Sequence, residues 1–231
     1  MLRRLTCATL TTMLFAAVGG TASAGIISIA GQVVNDGQLV SQNLSKDALV
    51  SDNLNVAHLF TEQQAVQVAT DVTLDLTNTG LVTAPSGAIP GVLSAGTLFD
   101  SYFLHYDIFQ NGFGIATGSI TFGSAIIGLQ FRDRTLDKAH AVVGQAGVTY
   151  QTSSKLDGTL DSSAQDFVQI SANRRTLTFQ LAVQPHVDTL RIFTEVAEVP
   201  EPGSMLLFGL GMAGVAGAKL RSRSRRETSS G

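Results

Sequence analysis

Histidine and serine are the side chains from which a catalytic or metal site would most readily be built. The histidines are scattered and lack a metal-ligand spacing such as His-x-x-x-His; they are His58, His105, His140 and His186. Serines are abundant, but none stands in a Gly-x-Ser-x-Gly elbow. Because a nucleophile needs a base within hydrogen-bond reach, the sequence predicts no enzyme, no resident metal and no cofactor.

His105 is the histidine whose setting the sequence defines best, because it alternates with Phe103 along an apolar stretch. One interpretation makes it a general base or a metal ligand. The other makes it a side chain packed at the rim of a sheet with a backbone partner. The apolar residues around it favour the second interpretation.

Two groups of charged residues are candidates for weaker sites. Asp157 and Asp161 stand four positions apart around a glycine, and oxygen-rich loops of this kind can bind calcium, although the spacing is not that of an EF-hand. The alternative is a solvated loop, so the pair is only a weak calcium candidate. Asp133 and Arg134 with Lys138 are interpreted as a surface ion-pair cluster, which would contribute little stability.

Tyr102 and Tyr106 are candidates for stacking against a sugar ring, because carbohydrate sites usually offer aromatic faces. The choice is small, since the chain has no tryptophan and only three tyrosines. In a strand they point to the same face, and Asp107 is a hydrogen-bonding group beside them. An exposed face would form a carbohydrate-binding platform. A buried face would make both tyrosines core residues, and the strongly apolar strand favours burial.

Alternating apolar residues predict the strands that position these side chains. Residues 71–77 place one set of apolar side chains on a single face, and residues 176–183 repeat the pattern. The same alternation predicts two further shared faces: Ile127 with Leu129 and Phe131, and Leu190 with Ile192. Residues 101–106 are apolar on both faces and predict a central strand.

Turn signals separate these strands and complete the prediction of the fold class. They lie at residues 78–80, 85–87, 111–112, 157–158 and 171–174. The last of them predicts a hairpin loop, and helical segments are predicted only at residues 46–54 and near residues 136–143. The chain is therefore predicted to be all-β, with an antiparallel β-sandwich or jelly roll of undetermined strand order.

Residues 1–24 have the pattern of a secretory signal peptide. Two arginines precede an uncharged stretch, and the small residues Ala22 and Ala24 suit a peptidase that cuts after Ala24. A buried helix is the alternative, which the charges before the stretch and the small residues after it disfavour. The one cysteine, Cys7, lies in the removed segment, so the mature chain is predicted to contain no disulfide.

Residues 199–226 combine three features in a fixed order. Pro200-Glu201-Pro202 is followed by an apolar run at residues 205–218 and then by five basic residues: Lys219, Arg221, Arg223, Arg225 and Arg226. As a helix the run would be about 21 Å long, shorter than a bilayer core of about 30 Å. With Gly203 and Ser204 included, it is predicted to be a short transmembrane helix with the basic residues on the cytoplasmic side.

This order of features resembles the PEP-CTERM sorting signal. The resemblance implies that an exosortase recognises Pro200, Glu201 and Pro202 while the helix anchors the chain transiently in the inner membrane. It also implies export to the cell envelope or exterior of a Gram-negative bacterium that makes extracellular polysaccharide. An ordinary C-terminal anchor without processing is the alternative. Residues 227–231 are assigned to a disordered tail.

Residues 25–198, the predicted ectodomain, resemble a recurrent ectodomain of PEP-CTERM proteins over about residues 56–194. The matching stretches are residues 60–64 (FTEQQ), 100–107 (DSYFLHYD), 118–122 (GSITF), 127–129 (IGL), 147–150 (GVTY) and 188–192 (DTLRI). The resemblance supports the all-β architecture and implies no activity.

Charge is distributed unevenly along the chain. Residues 25–200 contain 8 basic and 16 acidic side chains, a net charge of −8, whereas the whole chain has a net charge of −3. An acidic domain without a basic stripe argues against nucleic acid as a partner. The sequence thus predicts an exported surface or matrix protein, structural or associated with exopolysaccharide in a biofilm. The alternative is a carbohydrate-binding module on the same β-sandwich.

Overall fold

The computed structural model describes residues 25–45, 56–108, 113–152, 165–183 and 187–196. These residues belong to one compact unit that extends from Ala22 to Ala197. The helix predicted at residues 46–54 and the turns predicted at residues 111–112 and 157–158 lie outside the described residues.

The described chain is built mainly from short strands. In chain order they are β1 (Ile26–Gly31), β2 (Val33–Gln38), β3 (Asn43–Leu44), β4 (Ala57–Gln67), β5 (Val72–Leu74), β6 (Gly80–Val82), β7 (Gly91–Leu93), β8 (Leu98–Tyr106), β9 (Gly114–Phe122) and β10 (Ile126–Gln130), then helix α1 (Asp133–Val143), and finally β11 (Thr149–Tyr150), β12 (Phe167–Ile170), β13 (Thr176–Val183) and β14 (Asp188–Glu195). A 3₁₀ turn at Pro85–Gly87 stands where the sequence predicts a turn.

Two five-stranded sheets share the main core. The first has the strand order β1-β9-β13-β12-β6, and the second has the order β10-β14-β8-β4-β2. The core between them joins side chains of both sheets, such as Ile120 and Phe179 of the first with Leu104 and Ile192 of the second. The predicted all-β class is confirmed, and the shared core makes the two sheets a sandwich.

Some strand pairs are parallel, although the sequence predicted an antiparallel sandwich. β2 pairs with β4 in parallel, and the two-residue strands β3 and β11 also pair in parallel. A parallel pair needs a long connection between its strands, and residues 39–56 supply one between β2 and β4. Alternation of apolar residues carries no information on strand direction, so the sequence pattern could not reveal these pairs.

The two strands with the clearest sequence patterns form as predicted. β13 covers residues 176–183, and its side chains Leu177, Phe179 and Leu181 are fully buried. β8 includes residues 101–106 and lies between β14 and β4 inside the second sheet. One face of β8 contacts the main core, and the other contributes Phe103 to a separate small cluster.

The apolar residues of β10 do not all share one face, which corrects the prediction. A β-bulge shifts the register against β14 between Ile126 and Gly128. Ile126 and Leu129 face the main core together with Phe131, whereas Ile127 packs against a smaller cluster. One extra residue reverses the direction of the side chains around it, and alternation alone does not show where that residue lies.

Residues 171–174 form the predicted hairpin loop between β12 and β13. The Arg174 N–H donates to the Ser171 carbonyl at 2.8 Å, and Arg174 has a φ of 58°, which is uncommon for a residue other than glycine. Its guanidinium donates to three backbone carbonyls at 2.8–2.9 Å, those of Thr77, Ile126 and Ile127. These hydrogen bonds hold the loop against the end of β10.

Helix α1 confirms the helical segment predicted near residues 136–143 but begins earlier, at Asp133. The residue before it provides no side-chain cap. Instead, Asp75 Oδ2 accepts hydrogen bonds from the N–H groups of Phe131 (2.9 Å) and Arg132 (3.0 Å) and from the Thr135 hydroxyl. A carboxylate at this end stabilises the helix dipole, so a residue far away in the sequence fixes where α1 begins.

Candidate functional site

The outer face of the second sheet, beneath α1, carries a fully buried ion pair. Glu62 of β4 and Arg191 of β14 lie on either side of β8, and neither side chain is exposed to solvent. Arg191 Nε donates to Glu62 Oε2 at 2.7 Å, and Arg191 Nη2 donates to Oε1 at 2.8 Å. The pair is therefore bidentate and ties together two strands that are not neighbours in the sheet.

The carboxylate of Glu62 has two further partners. The Ser101 hydroxyl of β8 donates to Oε2 at 3.1 Å, and the Tyr150 hydroxyl of β11 donates to Oε1. The Tyr150 oxygen in turn accepts the N–H of Gln145 at 2.7 Å. Glu62 thereby connects β4, β8 and the chain that follows α1.

The guanidinium of Arg191 is enclosed in the same way. Its Nη1 donates to Gln130 Oε1 at 3.3 Å, and its Nη2 lies 3.0 Å from His140 Nδ1 on α1. The rings of Phe103 and Tyr150 flank the cation at 5.3 and 5.5 Å, within the range of cation–π attraction. The two ions and their partners Ser101, Gln130, His140 and Tyr150 are called the Glu62–Arg191 network below.

Burial and neighbouring charges shift the pKa values within this network. Burial raises the pKa of Tyr150, and the Glu62 charge raises it further. Burial followed by the Arg191 charge lowers the pKa of His140 to about 3, although a backbone contact with Gln151 works in the opposite direction. Burial alone would lower the pKa of Arg191, but Glu62 and Tyr150 outweigh it and the pKa is raised. At neutral pH, Arg191 is therefore charged while Tyr150 and His140 are neutral.

The Glu62–Arg191 network is suited to joining structural elements. Neither ion is exposed to solvent, so a dissolved ligand cannot touch them while α1 stays in place. Apolar residues close both sides: Leu136 of α1 packs with Phe60 and Phe103, and Ala139 packs in a second cluster with Phe193. The network holds α1 and β11 on the sheet by polar contacts where an apolar core would otherwise be expected.

Tyr102 and Tyr106 point into the sandwich core, where both are fully buried. The ring of Tyr102 packs on that of Phe122 with centroids 4.8 Å apart. Burial raises the pKa of Tyr106, and the nearby charge of Asp188 adds to this shift. Asp107, the predicted hydrogen-bonding neighbour, is also buried at 1% exposure. Neither ring offers an exposed platform for a sugar, and both tyrosines are core residues, which is the interpretation that the apolar strand favours.

His105 is fully buried, and within the described chain neither of its ring nitrogens has a hydrogen-bond partner. The backbone partner expected from the sequence is thus not found. Burial, with a contribution from His58, lowers the pKa of His105 to about 3, so the ring is neutral at neutral pH. His58 Nδ1 lies 2.7 Å from Asp36 Oδ2, whereas His186 lies outside the described residues.

The calcium candidates Asp157 and Asp161 lie outside the described residues. Among the residues that the structure does describe, no group of three or more His, Cys, Asp or Glu side chains is arranged to hold a metal ion. Asp166, which follows the candidate loop, is buried, and its Oδ1 accepts the N–H of Ala182 at 2.6 Å. That carboxylate is therefore engaged in holding β13.

The predicted ion-pair cluster on α1 is not formed. Within the described chain, Asp133, Arg134 and Lys138 take part in no ion pair. Residues at spacing i and i+4 share a helix face, whereas adjacent residues do not. Arg134 and Lys138 therefore lie together on one side of α1, away from Asp133.

The residues predicted to direct export and sorting lie outside the described residues; they are Ala22, Ala24, Pro200, Glu201 and Pro202. The same holds for the transmembrane helix predicted at residues 205–218. Among the described residues, no helix is both long enough and apolar enough to cross a membrane.

Sequence reasoning did not identify Glu62 and Arg191 as partners. The available signal was a lone charge within an apolar strand, since Arg191 stands between Leu190 and Ile192. Unpaired arginine is almost never fully buried, so such a residue calls for an anionic partner. The stretches that carry the ectodomain resemblance contain Glu62, Ser101, Tyr150 and Arg191.

A family model described as the PEP-CTERM protein-sorting motif matches residues 198–224. Neither the curated proteins nor the solved structures contain a match to the chain. The match covers the Pro-Glu-Pro motif, the apolar run and the first three of the five basic residues, and it begins three residues after the end of β14.

Proposed function

Because residues 198–224 carry a PEP-CTERM sorting motif, which marks an exported, exosortase-sorted protein, we propose that this chain is a structural component of an extracellular polysaccharide layer. In this proposal the signal peptide directs export, the tail holds the chain at the inner membrane, and the exosortase releases the β-sandwich. The sandwich then acts without catalysing a reaction. The matched motif is the observation that carries the proposal.

The chemistry of the tail supports a sorting role over simple anchoring. Pro200 and Pro202 fix their φ angles and lack N–H donors, so the segment cannot continue a helix or join a sheet. An extended peptide at the membrane surface suits a protease-like active site. The apolar run at residues 205–218 is short and rich in glycine and alanine, so it is a weak permanent anchor.

The structure of the β-sandwich supports the non-catalytic part of the proposal. The polar groups that the fold brings together, above all Glu62 and Arg191, are buried and engaged with each other. Carbohydrate binding through Tyr102 and Tyr106 is not favoured, because neither ring has a face open to a sugar. A folded domain whose charged groups are paired with each other inside the fold suits a structural role in a matrix.

The test compares wild type with the double variant Pro200→Ala/Glu201→Ala in a strain that has an exosortase. Neither residue lies in the apolar run, so a simple anchor would tolerate both changes. We expect wild type in the medium without the residues beyond about position 202, and the double variant at full length in the membrane fraction. Fractionation and mass analysis of the C-terminus distinguish these forms.

A matched control is Pro90→Ala/Glu195→Ala, which changes the same residue types at exposed positions of the β-sandwich. This control should be released like wild type. If the tail variant fractionates like wild type with its apolar run intact, the tail is only an anchor and the sorting role is wrong. Retention of processed protein by a purified layer of the host's polysaccharide tests the matrix role; free diffusion out of the layer would contradict it.

A further inference from the structure

A cleft opens between α1 and β5 on the outer side of the second sheet. Its volume is about 620 Å³, and among the described residues around it three are cations, Arg132, Arg134 and Lys138, whereas one is a carboxylate, Asp71. The volume lies in the range of small-molecule sites, which is roughly 300–1,000 Å³. The cleft is therefore large enough for a ligand and is positively charged.

The two outer cations of this cleft are free to meet a ligand. Arg134 and Lys138 are exposed, and neither has a hydrogen bond or an ion pair to any described residue. Arg132 is held more firmly, since its Nη2 donates to the Pro85 carbonyl at 2.8 Å and its Nη1 lies 3.8 Å from Asp75. Asp71 accepts the N–H of Ala95 at 2.8 Å.

The position of these charges is unexpected for an acidic domain. Residues 25–200 have a net charge of −8 and only 8 basic residues, yet three of those 8 line this one cleft. Arg134 and Lys138 stand at spacing i and i+4, where like charges destabilise a helix by a few tenths of a kcal/mol. A bound anion would relieve this repulsion.

We propose that the cleft is a binding site for a small organic anion, whose carboxylate or phosphate oxygens contact Arg134 and Lys138. Arginine presents a fork of donors that matches either group, and lysine adds a point charge. This site is separate from the Glu62–Arg191 network and from the sorting motif. A ligand in this cleft would give the β-sandwich a binding role, whereas the sorting motif concerns only where the protein is sent.

The remaining walls narrow the class of ligand. Val72, Ala139 and Val142 form an apolar side, and Val142 is 41% exposed. None of the described residues that line the cleft is aromatic, so these residues offer no ring on which a sugar could stack. A long polyanion would meet the negative charge of the whole domain, whereas a compact anion is screened from it beyond about 10 Å. An acidic monosaccharide or a small phosphorylated compound meets these requirements.

The cleft is held in shape by contacts described above. Asp75 fixes the start of α1 through the N–H groups of Phe131 and Arg132, and His140 contacts Arg191 at 3.0 Å near its end. The helix that carries Arg134 and Lys138 is thus fixed at both ends. The backbone positions of both residues are therefore fixed before binding, and a ligand has to order only their side chains.

The binding test uses purified full-length protein and three probes in isothermal titration calorimetry: galacturonic acid, galactose and inorganic phosphate. We expect galacturonic acid or phosphate to bind, with an affinity that falls as the salt concentration rises, and galactose not to bind. Binding of galacturonic acid without phosphate identifies a carboxylate ligand, and the reverse identifies a phosphorylated one. Equal binding of galactose, or no binding of either anion up to about 10 mM, would overturn the proposal.

The variant Arg134→Gln/Lys138→Gln assigns the binding to this cleft. We expect its affinity to be weaker by at least about tenfold, the range for a lost charged hydrogen bond. The control Arg175→Gln removes one exposed charge from the hairpin loop outside the cleft, and it should bind the anion like wild type. The single variant Arg134→Gln removes one charge from the cleft, and it should bind the anion more weakly. Both helix side chains are exposed and only their mutual repulsion is removed, so the thermal midpoint should not fall. Wild-type affinity in a folded double variant would place the anion elsewhere and refute this site.

Discussion

Single residues of the Glu62–Arg191 network decide how the outer face of the second sheet is covered. Transfer of each ion out of water costs several kcal/mol, which is recovered only when every partner is in place. The network meets this condition because Glu62 and Arg191 are bidentate to each other and each has additional partners. Loss of one ion would leave the other charge buried without compensation.

The substitution Glu62→Gln tests this dependence at nearly constant volume. We expect it to lower the free energy of unfolding by about 3–5 kcal/mol, because Arg191 would lose its counter-charge in a site without solvent. Urea denaturation followed by circular dichroism measures the change. Glu195→Gln is the control, since Glu195 ends β14 in solvent, and its effect should be within about 0.5 kcal/mol.

The double variant Glu62→Met/Arg191→Met separates the cost of an unpaired charge from the value of the pair. Apolar replacement of both members of a buried ion pair is often neutral or stabilising. The double variant should therefore be more stable than Glu62→Gln. If it is less stable, the ion pair itself contributes net stability beyond what apolar packing supplies.

His105 predicts how stability depends on pH. Its pKa is about 3 in the folded protein and about 6.5 in an unfolded chain. As the pH falls, the unfolded chain therefore binds the proton at a higher pH than the folded protein does. The contribution of His105 to the free energy of unfolding is fully present above about pH 6.5 and declines below it. The decline reaches at most about 1.4 kcal/mol per pH unit for this one residue.

Urea midpoints at pH 7.5 and pH 5 measure this effect in wild type and in His105→Leu. No described residue hydrogen-bonds to the ring nitrogens of His105, so leucine removes the titration without removing such a bond. The loss between the two pH values should be smaller in the variant than in wild type. If wild type and His105→Leu lose the same stability between the two pH values, His105 binds its proton at the same pH in the folded and the unfolded protein.

At the scale of strands and the helix, the periodicity of apolar residues predicts which face of a strand is buried. It predicts less well which strands lie next to each other. The pattern of β13 and the central position of β8 follow from apolar residues alone, and both are confirmed. The parallel pairing of β2 with β4 and the bulge in β10 depend on contacts between distant parts of the chain. The start of α1 likewise depends on Asp75. Local sequence carries little information on such contacts.

Phe179→Ala tests the face assigned to β13. Phe179 is fully buried in the main core, so the cavity left by alanine should cost about 3–5 kcal/mol of unfolding free energy. The neighbouring substitution Thr178→Ala lies on the other face of the strand and should cost less than about 1 kcal/mol. Chemical denaturation of both variants gives the comparison. Equal effects would mean that the core does not lie on the Phe179 side.

At the scale of the whole molecule, the sequence was informative about the tail and less so about the sites. The three features at residues 199–226 are consecutive, and the match at residues 198–224 confirms a PEP-CTERM sorting motif there. The Glu62–Arg191 network joins residues 129 positions apart. The cleft depends on the position of β5 beside α1, so no local pattern could reveal it.

Export and the cysteine content give a prediction for the complete exported protein. We expect the mature chain to begin at Gly25, which removes Cys7, so the released protein should unfold at the same denaturant concentration with and without a reducing agent. Mass spectrometry of the exported protein determines its first residue. A mass that includes Met1, or a midpoint that depends on the reductant, would contradict the predicted cleavage.

The position of β14 has a consequence for the timing of folding during secretion. β14 lies between β10 and β8 in the second sheet, and it ends at Glu195, just before the sorting motif begins at residue 198. If the chain crosses the membrane from its N-terminus, the strand that closes the sheet crosses last. Until then β8 and β10 lack their common neighbour, and Glu62 lacks Arg191. Assembly of the sandwich therefore follows translocation, and the sorting motif reaches the membrane only when the last strand needed for folding is available.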